Sequence, residues 1–124
     1  MAKVMVVDDD IAIRHALNKV LVADGHEVLE ESDGKSALRH FTGDPVDLVL
    51  SDVYMPDMDG IQFLMRVREA FPEARIIMMS GGGNLPATSV LEAATALGAD
   101  RVVKKPFSST EIREAIRDVL ADGD

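Results

Sequence analysis

Val46-Asp47-Leu48-Val49-Leu50-Ser51-Asp52 is a short, nearly continuous apolar run that stops on a carboxylate. Such runs belong to strands buried on both faces, the setting of a parallel sheet. Three other runs share the design. Val4-Met5-Val6-Val7 stops on Asp8-Asp9-Asp10, Ile76-Ile77-Met78-Met79 on Ser80, and Val102-Val103-Lys104 on Lys105-Pro106. As parallel strands of one sheet, the four bring their C-terminal ends to one edge. Carboxylates, a hydroxyl and an ammonium then converge on one cleft.

The intervals between these runs read as helices. Ile13, Ala16, Leu17, Val20 and Leu21 share one face at helical spacing, and Asp24-Gly25 stops that helix. His26 to Glu30 is a more polar strand, as suits a sheet edge. Gly34, Ala37, Leu38 and Phe41 mark a second helix, ended by Gly43 and Pro45. A third spans about 60–70, closed by Phe71-Pro72 because the residue before Pro avoids the helical region. A fourth follows Gly81-Gly82-Gly83-Asn84 and ends at Gly98. Ser108-Ser109-Thr110-Glu111 is a capping box opening the last helix, whose stripe is Ile112, Ala115, Ile116, Val119 and Leu120. Five β-α units in series predict an α/β fold: a doubly wound five-stranded parallel sheet, order 2-1-3-4-5, with five helices. Ligands of such sheets sit outside the strand C-termini where the winding reverses, here between the first and third strands.

The chain has 124 residues, enough for one domain with a real core, and 47% of them are hydrophobic. No apolar run approaches membrane-spanning length, and the N-terminus is no secretory signal. These features point to a soluble, cytoplasmic protein. With no cysteine, disulfides, zinc–thiolate sites and thiol catalysis are excluded. A net charge of −9 without a basic stripe argues against nucleic-acid binding by this domain. No linker or effector stretch stands out, which points to a stand-alone switch or relay.

Clustered carboxylates repel one another, and a bound cation removes the repulsion. Mg²⁺ takes oxygen ligands and keeps several waters. Asp9 and Asp52 are the direct ligand candidates, with Asp8 direct or through water and the Tyr54 backbone carbonyl as a further one. A carboxylate can also attack phosphorus and form an acyl phosphate. Asp52 is central among the strand ends, where the Lys105 ammonium and Ser80 hydroxyl can meet phosphoryl oxygens. Such transfer needs mainly positioning and charge neutralisation. Lys105-Pro106 is a candidate cis bond.

Val6-Val7-Asp8-Asp9, the stretch from Asp47 to Gly60 (DLVLSDVYMPDMDG) and Lys104-Lys105-Pro106-Phe107 together resemble the receiver domain of two-component response regulators, chemotaxis receivers included. The resemblance covers residues 3–121 and makes 1–124 a single receiver domain. It implies a signalling switch rather than a turnover enzyme, with Asp52 phosphorylated by a phosphohistidine on a histidine kinase or phosphotransfer protein. It implies Mg²⁺ at Asp8, Asp9, Asp52 and the Tyr54 carbonyl, and switch roles for Ser80 and Lys105. A downstream effector would bind the face made by the fourth helix, fifth strand and last helix. Two departures stand out. Val102 occupies the place where receivers usually carry Tyr or Phe, and Gly81-Gly82-Gly83 lengthens the loop after Ser80. That loop is expected to order on phosphorylation, and Tyr54 to shield the phosphoryl group from water.

Other readings are weighed by residue. Asp8-Asp9-Asp10 exceeds what helix capping needs, and only Asp10 reads as a cap. Lys104 reads as surface solvation. His15, His26 and His40 lack ligand spacing and are expected to face solvent, none a phosphodonor. An EF-hand loop ending its first half at Gly60 lacks an acid at Met55 and a Glu at Arg66. A dinucleotide fingerprint fails at Pro86. The alternative function is a Mg²⁺-dependent small-molecule phosphatase acting through an aspartyl phosphate. A receiver-like interaction domain that is never phosphorylated is a third, disfavoured by the complete acid, hydroxyl and lysine set.

Overall fold

The computed structural model describes residues 2–44, 46–53, 57–58, 60–80 and 98–121. Five strands form one parallel sheet: β1 (Lys3–Val7), β2 (Glu27–Glu31), β3 (Leu48–Asp52), β4 (Arg75–Ser80) and β5 (Arg101–Lys104), in the order β2-β1-β3-β4-β5. The predicted order holds, with β2 at one edge. Four helices lie among the described residues: α1 (Ile11–Ala23), α2 (Gly34–Gly43), α3 (Gly60–Ala70) and α4 (Ser109–Ala121). The helix expected over about 85–97 lies outside them, so the C-terminal helix is α4 here. No described helix is long and apolar enough to cross a membrane.

Alternation along the strands explains the two-sided cover. Met5, Val7, Val49, Ile76 and Met78 point to one face, where Ala37 and Phe41 of α2 and Phe63, Leu64 and Val67 of α3 meet them. Val4, Val6, Leu48, Leu50, Ile77 and Met79 point to the other, against Leu17 and Leu21 of α1 and Ile112, Ala115, Ile116 and Val119 of α4. Each apolar stripe read from spacing is thus the buried side of its helix, save that Ala16 is exposed.

Helix ends follow local chemistry. The Asp10 carboxylate accepts from Ala12 N at 2.9 Å. Gly25 closes α1 with φ +88°, a left-handed conformation that costs a glycine little. The capping box forms as expected: Glu111 N donates to Ser108 Oγ at 3.1 Å, and Ser108 N to Glu111 Oε1 at 3.4 Å.

The histidine expectation needs correcting. His15 is exposed, but His26 and His40 are half-buried. His26 Nδ1 accepts from Ala2 N at 3.1 Å, and His40 Nδ1 lies 2.9 Å from Glu31 Oε2. Both rings bridge one segment to another, a tertiary role that local spacing does not encode.

Candidate phosphoryl and cation site

β1, β3, β4 and β5 are neighbours in the sheet, so their last residues line one stretch of its C-terminal edge. Asp8 and Asp9 follow β1, Asp52 ends β3, Ser80 ends β4 and Lys105 follows β5. One carboxylate oxygen from each of Asp8, Asp9 and Asp52 lies within 4.8 Å of the other two. Asp8 is fully buried and Asp52 6% exposed, while Asp9 opens to solvent.

The Lys105 ammonium stands 2.8 Å from Asp8 Oδ2 and 3.3 Å from Asp52 Oδ2. Burial works against its charge, but the hydrogen bond it donates to Asp8 and the nearby Asp52 carboxylate outweigh it, and the Lys105 pKa is raised. Its backbone is fixed as well: Lys105 N donates to Ser80 O at 2.6 Å, and the Lys105–Pro106 bond is cis, as expected. Lys104 is exposed.

Ser80 adds a pointer of another kind. Its hydroxyl is buried and has no hydrogen-bond partner among the described residues. A buried polar atom without a partner is costly unless something else satisfies it. At this edge, a phosphoryl oxygen would do so.

The donor set suits Mg²⁺. Three carboxylates and one ammonium leave two negative charges in excess at a partly open edge, and all the candidate ligand atoms are oxygens. Tyr54, the expected carbonyl ligand, and the Gly81-Gly82-Gly83 loop lie outside the described residues. Val102 is half-buried against the core on the α2–α3 face.

Two contributors were not foreseen from the chain. Arg14, in the first turns of α1, turns its guanidinium back so that Nη1 donates to Asp8 O at 2.6 Å, while Nε lies 3.5 Å from Glu30 Oε1. It therefore braces the backbone of a candidate ligand. Its place four residues after the cap Asp10 is the one signal the sequence offers. Asp57, beyond β3, reaches the start of α2, and no local pattern announces it. A cavity of about 610 Å³ lies elsewhere, lined by Ala2, His26, Val46, Phe71 and Arg75 among others, and shares no residue with this edge.

Comparison with known proteins agrees with this geometry. The family model of the response regulator receiver domain matches residues 4–117. The chain is 36% identical to sporulation initiation phosphotransferase F of Bacillus subtilis, covering 95% of this chain and 93% of that protein. It is 35% identical to the chemotaxis protein CheY of Bacillus subtilis, covering 95% and 97%. Against the transcriptional regulatory protein CpxR of Klebsiella pneumoniae identity is 37%, but the chain spans 50% of that relative's length. Among solved structures, the chemotaxis response regulator CheY4 of Vibrio cholerae superposes with a TM-score of 0.87 at 32% identity, covering 97% of this chain and 99% of that one.

Proposed function

The chain belongs to the response regulator receiver domain family of two-component systems, and from that premise we propose that Asp52 accepts a phosphoryl group from a phosphohistidine on a histidine kinase or phosphotransfer protein. The observation that carries the proposal is the meeting of Lys105 with Asp8 and Asp52 at the strand edge that Ser80 shares, whose buried hydroxyl has no hydrogen-bond partner among the described residues. Receiver domains are signalling switches, and this one serves as a switch in the cytoplasm, with residues 1–124 as a single receiver domain.

In the transfer, an Asp52 carboxylate oxygen bonds to phosphorus as the P–N bond of the donor breaks. The departing imidazole keeps the bonding pair and takes up a proton. Asp8, Asp9 and Asp52, with the Tyr54 carbonyl, would hold Mg²⁺. When bound, that ion would neutralise phosphoryl oxygens and relieve carboxylate repulsion. Lys105 is then drawn to a phosphoryl oxygen, and the Ser80 hydroxyl donates to another. The aspartyl phosphate carries about −1.5 to −2 charge where the free carboxylate carried one, so the strand edge gains about −0.5 to −1 together with strong acceptor oxygens. The added charge biases two packed arrangements of the segment after β4 together with β5 and α4. An effector protein or domain that prefers one arrangement reads the change.

Intact mass after incubation with acetyl phosphate tests the proposal. The expected result is a single added phosphoryl group that requires both Mg²⁺ and Asp52, and is absent in Asp52→Asn. Adduct formation without either requirement overturns the assignment. Many turnovers on simple phosphate esters, without a stoichiometric adduct, would point to a phosphatase instead.

A further inference from the structure

We propose that Asp57 is a positioning residue that tethers the chain beyond Asp52 to the N-terminus of α2, and so holds the cation site in register. The inference rests on the reading of Asp8, Asp9 and Asp52 given above. Asp57 Oδ1 accepts from Gly34 N at 3.1 Å, and Oδ2 accepts from Lys35 N at 3.0 Å. These donors lie 23 and 22 residues away in the chain. The helix does not need Asp57 merely to be capped, because Asp33 is its N-cap and accepts from Ser36 N at 2.8 Å. Two carboxylates therefore divide three successive N–H groups. Asp33 serves its own helix, while Asp57 joins α2 to the chain that runs from β3 to α3.

The tether matters because both ends of the span after Asp52 are held. Val53 N donates to Met79 O at 3.0 Å. At the far end, Met58 is buried in the core shared by α2 and α3, and Gly60 N donates to Val53 O at 2.6 Å. Asp57 is the one polar anchor between these points among the described residues. Residues 54–56 connect Val53 to Asp57, whose carboxylate is held at the start of α2. Tyr54, the expected carbonyl ligand, is in that span. The bidentate bond to two N–H groups at a helix N-terminus favours the carboxylate form. Desolvation pushes the Asp57 pKa upward, but the Lys35 and Gly34 N–H groups together outweigh it and bring it below the ordinary value.

Outer contacts that orient ligands typically change metal affinity by about 10–100-fold when removed. The test compares Asp57→Ala, Asp57→Asn and Asp33→Ala by Mn²⁺ binding, followed through the electron paramagnetic signal of the free ion. Asp33→Ala is the control, since it removes the same charge and uncaps the same helix without touching the tether. Asp57→Ala is expected to weaken Mn²⁺ binding about tenfold. Asp57→Asn, which keeps one carbonyl acceptor, falls between, and Asp33→Ala binds like the wild type. In metal-free buffer the Gly60 amide is expected to exchange its hydrogen faster in Asp57→Ala but not in Asp33→Ala. Wild-type Mn²⁺ affinity in Asp57→Ala, or equal weakening in Asp33→Ala, overturns the proposal. If the wild type bound no Mn²⁺, the cation site itself would be refuted. The Gly60 amide would still decide the tether, and unchanged exchange in Asp57→Ala would end it.

Discussion

Lys105 Nζ lies 2.8 Å from Asp8 Oδ2 across 97 residues of sequence, and Asp8 is fully buried. Asp8 Oδ1 meanwhile accepts from Asp10 N at 2.9 Å. Without a cation, Lys105 is thus the charge partner of a carboxylate that water cannot reach. Breaking a buried ion pair costs about 3–5 kcal/mol. The Lys105 side chain keeps 15% exposure, so Lys105→Met should cost less, about 2 kcal/mol in chelator. Mg²⁺ supplies positive charge to the same cluster and should recover much of that loss. The expected outcome is a denaturation midpoint more sensitive to Mg²⁺ in the variant than in the wild type. Equal Mg²⁺ sensitivity would mean that the ion and the ammonium do not share Asp8.

Asp9 is the exposed member of the acidic group. In metal-free protein it repels Asp8 and Asp52, whose oxygens lie within 4.8 Å of its own. In a water-like medium that repulsion amounts to about 1 kcal/mol at such range. Asp9→Asn should therefore raise the thermal midpoint slightly in chelator. It should also lose most of the rise that Mg²⁺ produces in the wild type. A variant that still gained the full Mg²⁺ effect would remove Asp9 from the ligand set.

Much of this edge was legible in the chain, for a definite physical reason. Strands buried on both faces must be continuously apolar, so the polar residue that ends each one stands out, and right-handed crossovers leave few ways to order the strands. Asp8, Asp9, Asp52 and Ser80 are such end residues, while Lys105 follows β5, a partly exposed edge strand. The contacts that were not legible cross between elements. Arg14 folds back on Asp8 O, Asp57 spans to Gly34 and Lys35, and His26 and His40 bridge segments. Each uses a flexible polar side chain whose partner is chosen by the tertiary arrangement, which no local period records.

Gly60 sets helix propensity against packing. Ala is favoured over Gly by about 1 kcal/mol in a helix interior, and by less at Gly60, the first residue of α3. A Cβ at Gly60, however, would stand 2.5 Å from Asp52 O and 2.6 Å from Val53 Cα. Both are backbone atoms and cannot rotate away. Overpacking of this kind costs about 1–3 kcal/mol or more, so packing should win. Gly60→Ala is expected to be destabilised and, because Asp52 itself must shift, to accept phosphoryl groups more slowly. Stability equal to or above the wild type in urea would show that the strand end yields easily.

Arg68 holds together the far side of the α3–β4 junction. Its guanidinium donates to Pro72 O at 2.9 Å, to Ala74 O and to Gly98 O at 2.6 Å, and Nη2 lies 3.3 Å from Asp100 Oδ2. One planar fork thereby joins the end of α3, the entry to β4 and the entry to β5. Lysine cannot reproduce that geometry with a single ammonium. Arg68→Lys should lose about 1–3 kcal/mol, as expected when carbonyls lose charged donors. A loss below the error of urea denaturation would show that water replaces the fork.

Asp57 yields a pH prediction with a definite sign. Its folded-state pKa lies below the ordinary 3.8: desolvation pushes upward, but the Lys35 and Gly34 N–H groups pull it down further. A depressed carboxylate contributes stability that is fully present above its unfolded value and is lost as pH falls through the folded one. The difference in unfolding free energy between wild type and Asp57→Asn should therefore be constant from about pH 5 to 7. Below about pH 4 it should shrink, as protonated Asp57 releases the start of α2. Gly34 and Lys35 amide exchange, corrected for its intrinsic pH dependence, should accelerate over the same window in the wild type alone. A difference that held constant to lower pH, or widened there, would show that the Asp57 charge contributes nothing to the contact.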